Sequence, residues 1–507
     1  MRLNIIYTSD VHGQITSTNY ALNKQETIGL SRLSSYIKKQ EKPCLILDNG
    51  DFLQGNVILD YYRKHPLNDA HPMIEAFNRI DYDVINLGNH DFNYGQDYLK
   101  EVTKPFKGTV LCANIVDQNQ QPLFSPYRIK TLTNGKKIGI IGTVTQYIPH
   151  WEKPSHISGL TFLNAYETTL NYVRKLRAQV DYLIVLYHGG FEKDLTTSQS
   201  IGRQTGENLG YKISTIEGID LLLCGHQHMP TIHRNQANTL VLQTAANGKN
   251  FGHITVDFSA ESFTHHAELV DNTMDDDKEF SAQFAELERQ TQEYLDQPIA
   301  KTMQDMKITS QFLARAKKHP MFQFINNLQR SLTSAQISAA SLPNDAIGFS
   351  KTIDLRAVAA NFVYPNTLQV LKMQGRDIKE ALERTAEYFT IKDGKLAMDK
   401  SFIHPKKEHY NYDVYDGIEY SFDIRKAKGQ RLTQVTIKGA ELEDEKRYTI
   451  VVNNYRAQGG GDYPMYEKAQ LLKEYTISMF DLVVDYLEKN PVLEIQVVEN
   501  YKLIIDG

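Results

Sequence analysis

Five short polar blocks each close an apolar run, and their side chains are those of a metal-dependent hydrolase. The blocks are Asp10-Val11-His12, Gly50-Asp51, Gly88-Asn89-His90-Asp91, His188-Gly189-Gly190 and Gly225-His226-Gln227-His228. Paired ions need a shared carboxylate and several nitrogen or oxygen ligands around each. A mixed donor set suits Mn, Zn, Fe or Co better than the all-oxygen shells of Ca or Mg. One block alone is weak evidence, because Asp-x-His is common and a lone histidine on a strand is more often structural. Five in order, each ending a strand-like run, reverse that balance. The chemistry implied is hydrolysis by a water that two divalent ions activate.

The elements that must position these side chains are strands. The runs LNIIYTS, CLILDN, DVINL, YLIVLY and DLLLC precede the five blocks, and open α/β sheets gather reactive groups beyond the carboxyl ends of their strands. Helical patterns alternate with the strands: GLSRLSSYIKKQ, HPMIEAFNRI, YGQDYLKEVTK and NAYETTLNYVRKLRAQ. TVLCANIV, KKIGIIGTVT, TLVLQTA and HITVDFS read as further strands. The fold class is α/β, a sheet sandwich with flanking helices, followed by a second α+β region. Residues 1–270 form the first domain. Residues 271–319, acidic and polar, read as a helical linker, and residues 320–507 form the second domain.

At 507 residues the chain exceeds one ordinary core. Its 41% apolar and 23% charged residues are those of a globular protein. The net charge of −5 argues against a general polyanion surface, so no nucleic-acid polymer is expected as partner. No apolar stretch approaches the roughly 18–20 residues that span a bilayer, so no membrane partner is expected. The first strand begins directly after Met1-Arg2 without a separate signal, which makes cytoplasmic placement the expectation. Cys44, Cys112 and Cys224 all lie in apolar runs and read as reduced thiols.

Taken in order, DVHG, GD, GNHD, HGG and GHQH resemble the signature of calcineurin-like metallophosphoesterases. YPNTLQVLKMQG and NNYRAQGGGDYP resemble the carboxy-terminal domain of the 5′-nucleotidase family. The likeness implies that Asp10, His12, Asp51 and His228 hold one metal and that Asp51, Asn89, His188 and His226 hold the other, with Asp51 bridging. It also implies that His90 is a catalytic group, stabilising the transition state or assisting the leaving oxygen. The carboxylate that usually partners this histidine, three residues on, is Asn93 here. An amide orients an imidazole but does not stabilise its cation as a carboxylate does.

GNHDFNYG, LDNGDFLQG and YNYDVYDGIEYSFDI are similar to the 2′,3′-cyclic-nucleotide 2′-phosphodiesterase/3′-nucleotidase branch. The implied substrate is a nucleotide phosphoester. 5′-Nucleotidase and UDP-sugar diphosphatase are the alternative activities, and a nucleotide-binding protein without turnover is the non-enzyme alternative. The likeness places a base-stacking aromatic at Tyr455, with Tyr412 as the expected second jaw and Tyr410 its competitor. Asp462 is a candidate acceptor for base or ribose. Trp151 and His65, His71, His150, His156, His404 and His409 sit in no motif and read as structural or surface residues.

Overall fold

Strand Arg2–Thr8 turns Leu3, Ile5 and Tyr7 to one face, and all three are buried. This period of two places them against Ile138, Ile140, Tyr182, Ile184, Leu186, Leu221 and Leu223. These residues line the interior of a sandwich of two six-stranded sheets. The computed structural model describes residues 1–67, 70–201, 204–235, 237–259, 261–364, 366–404, 407–475 and 477–505. The chain divides into two compact units, Met1–Thr291 and Gln292–Gly507.

In the first sheet Arg2–Thr8, Cys44–Asp48, Val84–Asn86 and Thr109–Leu111 run parallel. In the second, Lys137–Val144, Tyr182–His188, Leu221–Cys224 and Leu240–Gln243 do the same. Antiparallel strands close both edges of the second sheet and one edge of the first, whose other edge is Thr109–Leu111. Strand Tyr182–His188 is buried throughout. Ile184 and Leu186 face the sandwich interior, while Leu183, Val185 and Tyr187 face helix Ala165–Leu176. Burial on both sides explains the unbroken apolar run, as expected of parallel strands covered by helices. The helices expected around residues 30, 72, 96 and 165 form as Leu30–Ile37, Pro72–Ile80, Gln96–Thr103 and Ala165–Leu176.

Two expectations are corrected. TVLCANIV is not one strand but two, Thr109–Leu111 and Ile115–Val116. Asn114 breaks it: its side chain donates to the carbonyls of Val144 and Leu163 and accepts from the Val144 N–H, which bends the chain away from the ladder. Residues 271–319 are also not a helical linker. Helices Lys278–Ala282 and Ala285–Leu295 form, but Pro298–Thr302 is a strand between Thr352–Asp354 and Val492–Leu493. Ala300 from that strand is buried in the second unit's core, an apolar contact that outweighs the polarity of its surroundings in sequence.

The second unit is built on a five-stranded sheet, Val414–Asp416, Ile337–Ala340, Arg447–Asn453, Leu368–Gln374 and Gln470–Glu474 in spatial order. Helices Pro320–Thr333, Gly375–Ala386 and Met479–Lys489 contribute to its core. Among the described residues, no helix is long and apolar enough to cross a membrane. The three cysteines are free thiols.

Candidate metal centre

Parallel strands bring their carboxyl ends to one edge of each sheet, and all five polar blocks lie there. Asp10 and His12 follow Arg2–Thr8, Asp51 follows Cys44–Asp48, Asn89 follows Val84–Asn86, His188 ends Tyr182–His188, and His226 and His228 follow Leu221–Cys224. The chain turns sharply to aim these groups inward. Asp10, His12, Asp51, His226 and His228 all have left-handed backbones, with φ of 56°, 47°, 59°, 73° and 56°. Such conformations cost about 1 kcal/mol or more each in a non-glycine residue.

Bonds between the loops hold them. The Asp10 N–H donates to the Gly50 carbonyl and the His12 N–H to the Asp51 carbonyl, each at 2.9 Å. A Cβ on Gly50 would stand 2.2 Å from the Gly88 nitrogen, and one on Gly88 would stand 2.2 Å from Asp51 Oδ1. Glycine before the ligand in both loops is therefore what lets the two loops touch.

Asp91 fixes the same pair of loops from beneath. Its buried carboxylate accepts from the N–H groups of Asp51, Phe52, Leu53 and Gly88 at 2.8–3.0 Å. Burial and the nearby Asp51 push its carboxyl up to about 7, against the pull of the amide donors. No pattern in the sequence aims this side chain away from the metals.

The site gathers two groups of donors: Asp10 with His12 and His228, and Asp51 with His188 and His226. The donor atoms of each group lie within 4.8 Å of one another. Three of these histidines are anchored by one ring nitrogen each. His188 Nδ1 donates to the Asn49 carbonyl at 2.6 Å, His12 Nδ1 to the Gln54 carbonyl at 2.8 Å, and His226 Nε2 to Glu207 Oε1 at 2.8 Å. Carbonyl and carboxylate oxygens only accept, so in each neutral ring the other nitrogen is bare.

The second nitrogens of these rings face neighbouring side chains of the site. His188 Nε2 is buried without a hydrogen bond, 3.2 Å from Asp51 Oδ2 and 3.9 Å from Asp10 Oδ1. His226 Nδ1 faces Asn89 Oδ1 at 2.8 Å, and His12 Nε2 faces His228 Nε2 at 3.2 Å. Nitrogen and oxygen donors that converge at these distances in a buried site suit positive charge, carried either by a ring proton or by a bound ion. Burial alone would lower the His188 pKa, yet Asp51 and Asp10 outweigh it and push the ring up to about 10. Burial opposes ionisation of Asp51, but His188 and His90 hold its carboxyl well below the ordinary range. The donor set thus fits divalent ions, through mixed nitrogen and oxygen ligands with anchored outer nitrogens.

His90 begins the short turn His90–Phe92, its N–H donating to Asp51 Oδ1 at 2.7 Å. Its ring centroid lies 5.5 Å from that of His12. Asn93 takes the place beside it, with Oδ1 accepting from His90 Nδ1 at 2.8 Å. The Asn93 amide donates onward to Glu152 Oε2, also at 2.8 Å. Trp151, from the same loop, stacks on His226 with centroids 5.5 Å apart and planes 26° from parallel. Trp151, Glu152 and His156 belong to an irregular loop without periodicity or motif, which is why reading by pattern passed over them.

In the second unit, the expected jaw is corrected. Tyr412 is wholly buried, packed on Tyr388 and Phe389, and offers no face to a ligand. The ring centroid of Tyr410, the competing candidate, lies 6.5 Å from that of Tyr455, itself 40% exposed. Buried Arg456 ties the two tyrosine-bearing segments together. It makes a bidentate pair with Asp413 at 2.8 and 3.0 Å and donates to the Tyr410 carbonyl at 3.2 Å. A Cβ on Gly460 would come within 2.6 Å of the Tyr455 ring, so glycine at this position lets that ring approach the backbone closely. Asp462 is exposed and pairs with Arg384 at 3.3 Å.

Comparison with known proteins agrees with this geometry. Residues 3–230 match the calcineurin-like phosphoesterase model and residues 298–468 match the 5′-nucleotidase C-terminal domain. A Staphylococcus aureus structure provisionally named a 5′-nucleotidase, solved with alpha-ketoglutarate, is 34% identical. It covers 99% of this chain and 100% of its own, with a TM-score of 0.91. The 2′,3′-cyclic-nucleotide 2′-phosphodiesterase/3′-nucleotidase of Salmonella typhimurium is 29% identical over 90% of this chain and 81% of its own. The trifunctional nucleotide phosphoesterase protein YfkN of Bacillus subtilis is 26% identical over 96% of this chain, which spans only 38% of that longer protein. The chain belongs to the family of calcineurin-like phosphoesterases that carry a 5′-nucleotidase C-terminal domain.

Proposed function

We propose that this protein hydrolyses nucleotide phosphoesters with two divalent ions, preferring 2′,3′-cyclic nucleotides and 3′-nucleotides. The observation that carries this reading is the convergence of Asp10, His12 and His228 in one donor group and of Asp51, His188 and His226 in a second, the donor atoms of each within 4.8 Å of one another. Asp10, His12, Asp51 and His228 would hold one ion, and Asp51, Asn89, His188 and His226 the other, with Asp51 shared. When bound, such ions lower the pKa of a water and offset the charge that develops on phosphoryl oxygens.

The remaining roles fall to the chain's own groups. His90, with its Nδ1–H donated to Asn93, leaves Nε2 open to the substrate, where in the protonated ring it would donate to a phosphoryl or leaving oxygen. Asp91 keeps the Asp51 and Asn89 loops in register. Tyr410 and Tyr455 stack the base, and Asp462 accepts from base or ribose. A binding protein that had lost turnover would lack a ligand or the histidine, and this chain lacks neither.

The cyclic preference is supported by the motifs around Asp51 and Asn89 and by the likeness to the Salmonella enzyme. The name of the Staphylococcus aureus neighbour favours a second reading, 5′-nucleotidase. Side-by-side turnover of 2′,3′-cyclic AMP, 3′-AMP, 5′-AMP and UDP-glucose with Mn, Zn, Fe or Co decides between them. The proposal expects the first two to be the best substrates. A 5′-AMP rate well above both would replace it with the second reading.

A further inference from the structure

We propose that Glu152 is a positioning residue for His90, acting through the side-chain amide of Asn93. The carboxylate behind the histidine would then stand one residue further out than direct pairing would put it. The inference rests on the reading of His90 as a catalytic group.

An asparagine beside an imidazole is ambiguous, because its amide can turn either an acceptor or a donor toward the ring. Glu152 removes the ambiguity. Its side chain is only 6% exposed, and its Oε2 lies 2.8 Å from Asn93 Nδ2. A carboxylate only accepts, so the Asn93 NH2 must face Glu152 and the Asn93 carbonyl must face His90 Nδ1. That arrangement places the ring proton on Nδ1 and leaves Nε2 as the nitrogen open to a substrate.

Glu152 is itself fixed. Its Oε1 accepts from the Lys153 N–H at 2.8 Å and stands 2.7 Å from His156 Nδ1. The His156 carbonyl accepts from the Gln96 N–H at 3.0 Å, tying the loop to the helix that follows Asn93. The bond to Asn93 joins this fixed carboxylate to the residue that holds His90.

Swapping amide and carboxylate tests the idea. In Glu152→Gln the new amide meets a conflict. With its oxygen toward Asn93, its NH2 meets the Lys153 N–H; turned round, it forces the Asn93 amide to flip and present a donor to His90. A loss of about tenfold in kcat on 2′,3′-cyclic AMP is expected, with KM, metal content and Tm unchanged. Asn93→Asp alone sets two carboxylates against each other and slows turnover as well. The double variant N93D/E152Q restores a matched pair, since the introduced carboxylate accepts both from His90 and from the introduced amide. It should regain about tenfold over N93D.

Wild-type kcat in E152Q, or a double variant no faster than N93D, overturns the proposal. His90→Asn in the same assay separates the two readings. Full turnover in H90N refutes the role of His90 itself. A slow H90N beside an unaffected E152Q refutes only the role of Glu152. In the H90N background, E152Q should add no further loss.

Discussion

Asp51 Oδ2 and His188 Nε2 lie 3.2 Å apart, both side chains buried, with the other nitrogen of His188 already bound to the Asn49 carbonyl. Asp51 supplies the carboxylate that this ring and the second donor group converge on, so Asp51 is where loss of charge should do most damage. Asp51→Asn should lose at least one bound ion and cut turnover by about 10³-fold or more, given that one charge-stabilising group alone is worth about 10²–10³. Metal analysis of the purified variant, with initial rates on 2′,3′-cyclic AMP, measures both. Full metal content with full turnover would remove Asp51 from the shared position.

Those ligands were legible in the sequence because metal binding restricts residue type and parallel strands restrict place. Asp10, Asp51, Asn89, His188 and His226 each follow an apolar run, and such runs end together at one sheet edge. Tyr412 was misplaced for the converse reason. Tyr410 and Tyr412 lie in one short motif, and the turn His409–Asn411 sends the first outward while the second enters the core ahead of strand Val414–Asp416. Glu152 and Trp151 reach the site from a loop, where neither period nor cap signals direction.

The contrast between those tyrosines is measurable. Tyr455→Ala should raise KM for a nucleotide by about tenfold, since stacking a base on an aromatic ring is worth about 1–3 kcal/mol. Its kcat and Tm should hardly move, because the ring is partly exposed. Tyr412→Ala should instead cost about 3–5 kcal/mol of stability, as emptying a packed aromatic site does. Steady-state kinetics and denaturant titrations of both variants check the pair. A KM effect confined to Tyr412→Ala would reverse the assignment.

Trp151 is the chain's one tryptophan and stacks on His226, an expected ligand. An ion bound at His226 alters the charge against the indole face. Adding Mn to chelated protein should therefore change the intrinsic emission saturably. His226→Ala should abolish that response while leaving the emission of the folded protein measurable. A flat titration in the wild type, with Mn binding shown independently, would separate Trp151 from the metal centre.

His71 lies in the metal-binding unit but away from its ligands, and carries a pH dependence of its own. It is 4% exposed, and its Nδ1 accepts from the Met73 N–H at 3.3 Å, capping helix Pro72–Ile80. Burial lowers its pKa from 6.5 to about 3. The unfolded chain therefore binds a proton between those values that the folded chain refuses, and stability falls as pH drops through that window. The slope approaches about 1.4 kcal/mol per pH unit, the linkage value for one proton. Above pH 6.5 both states are neutral at this residue and the contribution is flat. His71→Asn keeps a capping acceptor and removes the titration. In chelated protein, the stability difference between wild type and His71→Asn should shift in favour of the variant by about 1–2 kcal/mol between pH 7 and pH 5. Denaturant midpoints at the two pH values measure it, and equal pH slopes in the two proteins would show that His71 is protonated without cost.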